Sequence, residues 1–300
     1  MNEAIYPSYY NIDLYALAEK LNKILESCTL CPHKCGINRF KSATGKCRTK
    51  LAPKISSFGP HYGEEKELVG KRGSGTIFFS YCNLQCLYCQ NYEISQLGEG
   101  KEVTIEELAG IMLYLEEIGC HNINLVTPTH VIPQIISALA IAKDKGLKLP
   151  IVYNSGGYDD EQILKLLAGV IDIYMPDAKY GTNEAAQKYS GISNYWDVNQ
   201  KALLEMHRQV GDLIVDKNGI ARRGLIIRHL VLPNQIASSF RILDFIATKL
   251  SLNTYVNIMP QYRPCYKAYN YPELSRTITD KEFYEVIEYA QSLRLKRIRH

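Results

Sequence analysis

From residue 76 onward, short apolar runs alternate with segments of helical periodicity. The runs are TIFFSY (76–81), NINLVT (122–127), PIVYN (150–154), IDIYM (171–175), LIIRHLVL (225–232) and YVNIM (255–259). Most of their residues are β-branched, aromatic or aliphatic, with apolar residues on both faces, as buried parallel strands read. Between the first two, residues 104–119 place Leu108, Ile111, Met112, Leu115 and Ile118 on one face, behind a Thr104/Glu107 capping box. Asp159 followed by Gln162 predicts another helix start, and Ile236, Phe240, Leu243, Ala247 and Leu250 mark a helix over 236–250. A last helix opens at the Thr279/Glu282 pair and runs through Phe283, Val286, Ile287, Ala290 and Leu293. Six strand-then-helix units imply a parallel sheet with right-handed crossovers. A closed barrel of this type needs eight units, so the expected fold is α/β, a partial (β/α)6 TIM-type barrel. Asn218-Gly219, inside LIVDKNGIARRG (213–224), adds a small hairpin before the fifth strand.

Before residue 76 the pattern differs. Leu14, Leu17, Ala18, Leu21 and Leu25 have helical spacing, so an amphipathic helix opens the chain over 12–25. Residues 28–75 show little periodicity and many Gly, Pro, Lys and Ser residues, which reads as an irregular segment held by metal. Two units follow: residues 1–75, a helix plus a cysteine-rich metal-binding segment, and residues 76–300, the barrel.

Composition narrows the function. The 300 residues are 46% hydrophobic, enough for a large core, and the formal charge of +4 is too small to point to nucleic acid. The opening MNEAIYPSYYNIDLY lacks the layout of a signal peptide. The longest apolar candidate, VIPQIISALAIAKDKG, contains Pro133 and falls short of the ~18 residues of a membrane span. The expectation is a cytoplasmic protein with no membrane or nucleic-acid partner.

The nine cysteines sharpen the picture. Cys28, Cys31, Cys35 and Cys47 can supply four thiolates to zinc or to an iron–sulfur cluster, with His33 outside the ligand set. Cys82, Cys86 and Cys89 follow the first strand, and in parallel α/β folds ligands bind beyond the carboxyl ends of strands. Three thiolates and an open position suit a [4Fe–4S] cluster, or zinc completed by a distant residue such as Cys120 or His121. Cys120 and Cys265 otherwise read as free thiols. Further strand-end candidates are Asn154 and Ser155 before Gly156-Gly157, and Arg228 with His229, one of which should point into the barrel. The basic SLRLKRIRH at the end reads as a solvated helix face.

Cys-x3-Cys-x-Tyr-Cys after a first β-strand resembles the radical S-adenosylmethionine (SAM) superfamily. RGSGTIFFSYCNLQCLYCQNYEISQ, NINLVTPTH, YMPDAKY, LIIRHLVLPN and VNIMPQYRP extend the likeness to the pyruvate formate-lyase activating enzyme-like subgroup, from Cys28 to Pro264. The resemblance implies an oxidoreductase whose [4Fe–4S] cluster, on Cys82, Cys86 and Cys89, chelates SAM at its open iron. One electron then gives methionine and a 5′-deoxyadenosyl radical that abstracts hydrogen from substrate. It also implies that Tyr88 lies near the adenine, and that Asp177 and Lys179, an Asp-x-Lys, help hold the SAM carboxylate or a nearby cation. Where the family has a Gly-Gly-Glu turn, this chain departs from it with Thr127-Pro128-Thr129-His130, and the expectation is that the Thr127 and Thr129 hydroxyls and a backbone carbonyl replace the carboxylate. Asn154, Ser155 and Arg228 become candidates for the ribose or carboxylate. The implied partners are a protein or peptide substrate, a glycyl-radical enzyme among them, and flavodoxin or ferredoxin as electron donor. Radical modification of a small molecule, or a non-catalytic Fe–S redox sensor, are the alternatives.

Overall fold

The computed structural model describes residues 7–41 and 45–300. Residues 1–6, the start of the stretch read for a leader, and residues 42–44 of the cysteine-rich segment lie outside the described residues. In chain order the elements are α1 (Leu14–Lys23), β1 (Lys54–His61), α2 (Lys66–Val69), β2 (Ser74–Phe79), β3 (Lys101–Glu102), α3 (Ile105–Glu117), β4 (Ile123–Val126), α4 (Ile132–Asp144), β5 (Ile151–Ser155), α5 (Glu161–Leu166), β6 (Ile173–Pro176), α6 (Asn183–Ser190), α7 (Tyr195–Val210), β7 (Ile214–Val215), β8 (Ala221–Leu230), α8 (Ser239–Lys249), β9 (Tyr255–Met259), α9 (Asp280–Ser292) and β10 (Arg297–Arg299). One sheet runs β10-β9-β8-β6-β5-β4-β2-β1-β3, with β7 hairpinned onto β8. All neighbours from β2 to β10 are parallel, and the sheet ends at β3 and β10 without closing. The six expected strands are β2, β4, β5, β6, β8 and β9, so the partial barrel stands.

Alternation sorts the side chains. Ile77, Leu125, Tyr153 and Tyr174 form one row across the sheet and face outward, into a core shared with Met112, Leu139 and Met206 of the helices. Val152, Ile173, Met175 and Ile226 face inward and pack with Leu68 of α2 and with Tyr255. The short α2 therefore fills the lower part of the barrel. Leu68 is fully buried, and Leu68→Ala should cost roughly 2–5 kcal/mol, read from chemical denaturation.

Several boundaries differ from the sequence reading. Residues 28–75 are not wholly irregular: β1 pairs antiparallel with β2 along its length, so the sheet is shared by the 1–75 and 76–300 stretches. Only Ile55 of β1 is buried, which is why no hydrophobic period marks it. The basic tail does not end as a helix face, because Arg297–Arg299 forms β10 against β9. Asp160, not Asp159, caps α5, accepting from the Gln162 and Ile163 N–H groups. The eighth helix begins at Ser239 rather than 236. The predicted hairpin is present, with Asp216 N–H bonded to Ile220 O and Gly219 at φ 77. No helix among the described residues is long and apolar enough to cross a membrane.

Candidate active site

β2 delivers the chain to the top of the barrel, and Tyr81, at φ 71, turns it out of the strand into the three-cysteine loop. Each sulfur there has a hydrogen-bonding neighbour. Cys82 Sγ accepts from Leu84 N–H at 3.3 Å, Cys86 Sγ from Ser190 Oγ at 3.1 Å, and Cys89 Sγ lies 3.1 Å from Ser95 Oγ. Burial pushes the Cys82 and Cys86 thiols up, and the neighbouring cysteines add to this, while Lys179 opposes it. Such a set releases its protons when metal binds, and hydrogen bonds to sulfur then stabilise the thiolates. The donor set fits a [4Fe–4S] cluster with one iron not ligated by protein.

Cys120 and His121 cannot complete this set. β2 and β4 are parallel; the cysteine loop follows the end of β2, whereas Cys120 and His121 precede the start of β4 at the opposite end of the strands. Zinc closed by either residue is thereby ruled out. Among the described residues no three His, Cys, Asp or Glu side chains converge closely enough to ligate a single metal ion.

Four of the expected contacts do converge. Arg228 points inward and ties together the ends of β5, β6 and β8: its Nε donates to Asp177 Oδ1 at 3.1 Å and its Nη2 to Asn154 Oδ1 at 2.7 Å. Lys179 Nζ lies 2.6 Å from Asp177 Oδ2. Burial works against charge on both Asp177 and Lys179, but their attraction outweighs it: Asp177 is held below the usual carboxylate range and Lys179 above the usual ammonium range, with Cys86 adding to the latter. Lys179 is thus the cation that links this cluster to the cysteine loop. Sequence reading missed Glu64, whose Oε2 sits 3.2 Å from Arg228 Nη1, and Glu65, whose Oε1 accepts from Asn257. The one available signal was two adjacent acids closing a stretch that holds none back to Glu26.

His229 faces the other way. It is fully buried, with Nδ1 2.7 Å from Ala178 O and Nε2 2.8 Å from Ser239 Oγ. Burial pushes its pKa down to about 4, so it is a neutral brace behind the Asp177–Lys179 turn.

Thr129 and Ser155 do not join the cluster. Both hydroxyls donate to Asp159 at 2.6 Å, with Tyr153 OH at 2.9 Å on the same carboxylate. All are buried, so the structure spends these hydroxyl protons on fixing the β4 and β5 loops. Thr127 differs: at φ 60 its N–H donates to Asn154 O, and its hydroxyl has no partner among the described residues. Gly157, after the end of β5, is packed closely by protein. A Cβ there would collide with Asp177 O and Asn199 Nδ2, and its φ is +73. Gly157→Ala should therefore destabilise by roughly 2–4 kcal/mol, measurable as a lowered unfolding midpoint.

Tyr88 is buried at the mouth, packed edge-on against Tyr180 at 6.2 Å and Tyr262 at 5.9 Å. These rings, with Leu84, Tyr158 and Tyr195, form a second apolar cluster around Cys86. Cys28, Cys31 and Cys47 are buried and Cys35 is exposed. Burial raises the Cys31 thiol, and Cys47, Cys28 and Cys35 are close enough to add to the effect. Cys265 is buried, and no hydrogen bond joins it to the site among the described residues.

A sequence profile of the Radical SAM superfamily matches residues 76–220. "Uncharacterized protein MJ0674" of Methanocaldococcus jannaschii is 35% identical over 290 residues, covering 93% of this chain and 79% of that protein. Among solved structures, HydG, a maturase of the [FeFe]-hydrogenase, is similar at 15% identity and a TM-score of 0.49, over 73% of this chain and 48% of that one. Native anSMEcpe with bound AdoMet gives 14% and 0.49, and methylornithine synthase (PylB) 18% and 0.48, each over 73% of this chain and 61% of the other. The chain spans about half to three-fifths of the length of these structures.

Proposed function

Because the chain belongs to the radical SAM superfamily, we propose that it cleaves SAM at a cluster held by Cys82, Cys86 and Cys89 and uses the radical on a protein or peptide substrate. Family membership carries a [4Fe–4S] cluster and SAM as cofactors and radical, oxidoreductase-type chemistry. When bound and reduced by an external one-electron donor, the cluster would supply one electron to the SAM sulfonium, giving methionine and a 5′-deoxyadenosyl radical. The remaining roles fall to this chain's own side chains. Lys179 neutralises the SAM carboxylate and Asp177 holds Lys179 in place. Arg228 and Asn154 present polar groups on the barrel wall, and the Thr127 hydroxyl, without a partner among the described residues, accepts a hydrogen bond from the SAM ammonium. Tyr88 and the surrounding Tyr180 and Tyr262 exclude water from the mouth and cover the adenine.

The observation that carries this reading is the juxtaposition of three hydrogen-bonded cysteine sulfurs with the buried Lys179–Asp177 pair at the carboxyl ends of the strands. A glycyl-radical enzyme is the substrate class that the activating-enzyme likeness favours, the cytoplasm the compartment, and an acidic flavoprotein or ferredoxin the donor. The test is anaerobic: the reconstituted, reduced protein should convert SAM to 5′-deoxyadenosine and methionine in equal amounts. Absence of both products from reduced, iron-replete protein would remove the enzyme reading. Hydrogen isotope from a glycine-labelled glycyl-radical enzyme should then appear in 5′-deoxyadenosine; its absence would remove that substrate class alone.

A further inference from the structure

The four-cysteine segment reaches the barrel mouth at several points. His33, between Cys31 and Cys35, sets Nε2 2.8 Å from Asn83 O, next to Cys82. Gln85, next to Cys86, donates from Nε2 to Lys46 O at 3.3 Å, next to Cys47. Arg39 makes a third contact, and it is a buried one. Only 3% exposed, its guanidinium donates from Nη1 to His130 O at 2.8 Å and from Nη2 to Lys50 O at 2.7 Å. A buried cation is costly to desolvate, and this one is spent on two backbone carbonyls. The cysteine segment fixes where the arm starts: Arg39 N–H donates to Leu25 O and Cys28 N–H to Ile37 O, each at 2.8 Å. The Lys50 anchor is fixed from the other side, since Gln134 of α4 donates to Leu51 O at 2.7 Å.

The backbone that Arg39 holds is strained. Thr127 sits at φ 60, and for a β-branched residue that left-handed conformation persists only where its surroundings enforce it. On one side Thr127 N–H is bonded to Asn154 O at 2.8 Å, and on the other Val131 N–H closes the turn onto Pro128 O at 2.9 Å. Between them stands His130, buried and held twice. Its carbonyl takes the Arg39 bond, and its Nε2 lies 2.9 Å from Ser80 O. A carbonyl can only accept, so Nε2 carries the ring proton. Burial pushes the His130 pKa down to about 4, the Arg39 charge adding to this against the bond to Ser80 O, so the ring is neutral. Ser80 immediately precedes Tyr81, the left-handed residue that opens the cysteine loop. One residue, His130, thus ties the Thr127 turn to the start of the cysteine loop, and Arg39 ties His130 to the four-cysteine segment.

We propose that Arg39 is a positioning residue for SAM: through the His130 carbonyl it holds Thr127 in its left-handed conformation and so keeps the Thr127 hydroxyl where the SAM ammonium can donate to it. The inference rests on the radical SAM reading above and does not depend on which metal the four cysteines hold. It gives the N-terminal segment a part in cofactor binding although none of its side chains touches SAM. Small displacements of groups that orient a bound molecule are expensive, and here the orienting strain is maintained from outside the barrel.

The test uses the reconstituted full chain. SAM affinity is read from the change that SAM makes in the EPR spectrum of the reduced cluster, with iron content and unfolding midpoint measured alongside. R39M should weaken SAM binding by about tenfold or more. It should raise KM by a similar factor while iron stays at the wild-type level and kcat stays within about twofold. R39K keeps the charge but not the fork that spans two carbonyls, so it should show the same split at smaller size, and it carries the test if R39M does not fold. T127S keeps the hydroxyl and loses the branch that makes φ 60 costly, so adding R39M or R39K to T127S should cost less SAM affinity than adding it to wild type. Wild-type SAM affinity in a folded Arg39 variant would overturn the proposal. So would equal losses in the Thr127 and T127S backgrounds, or a lowered midpoint with unchanged KM, the mark of a strut that only stabilises. Iron-replete wild-type protein that neither binds nor cleaves SAM would remove the radical SAM reading itself, and the proposal with it.

Discussion

Cys86→Ala is expected to abolish 5′-deoxyadenosine formation and to strip the barrel-mouth cluster of its iron. Cys86 is the buried member of the triad: its sulfur accepts from Ser190, and Lys179 supplies positive charge beside it. With Cys86 gone, two thiolates remain for a cluster that already has one iron without a protein ligand. Removing only the hydrogen bond is gentler. Ser190→Ala should weaken cluster retention or activity by roughly 10–100-fold, the usual effect of losing a group that orients a metal ligand. Cys120→Ser, at the opposite end of the strands, should keep the cluster. Iron content, the EPR signal of the reduced protein and product formation separate the three variants. A Cys86→Ala protein with wild-type iron and product would place the cluster elsewhere.

Arg228→Met has the second largest expected effect, and it is on stability. The guanidinium bridges Asp177, Asn154 and Glu64, and all three charged side chains are less than one-fifth exposed, at 19% for Arg228, 15% for Asp177 and 8% for Glu64. Taking away one partner of a buried ionic network leaves uncompensated charge, which costs about 3–5 kcal/mol. Thermal unfolding should fall by on the order of 10 °C. Burial raises the pKa of Glu64 and Arg228 opposes that rise, so the variant removes the opposing charge. Arg228→Lys restores charge but not the forked geometry, so it recovers only part of the loss. Adding Glu64→Gln to Arg228→Met should return some stability, because it removes one of the stranded charges. An unchanged midpoint in Arg228→Met would mean that the network is solvated and not a barrel strut.

The strands that were readable in the sequence are those buried on both faces. β2, β4, β5, β6, β8 and β9 carry apolar residues on either side because one side meets helices and the other meets α2 and the barrel interior. β1 and β10 are held mainly by backbone pairing, with one buried residue in the first and only half-buried residues in the second, and no periodicity betrays such strands. The same logic divides the site. Asn154 was legible as a polar residue at the end of an apolar strand and Arg228 as a polar residue inside one, whereas Asp177 and Lys179 stood out only through the family resemblance of the Asp-x-Lys. Glu64 was not legible, because it reaches Arg228 across 164 residues from a segment that looks like a loop. Thr129 and Ser155 show the opposite failure. A hydroxyl at a strand end looks available until the structure reveals a buried Asp159 that takes it. Nor could spacing along the chain show that the two cysteine sets abut, since that depends on His33 meeting Asn83 in the folded protein.

On the proposed function, SAM binds the cluster at the open position left by Cys82, Cys86 and Cys89. Electron–nuclear double resonance of the reduced protein with SAM labelled with 15N at its amino group and 17O at its carboxylate tests this directly. Both labels should couple strongly to the cluster, and the coupling should be lost in Cys86→Ala. Labelled SAM that binds the protein but shows no coupling to the cluster would contradict that placement of SAM.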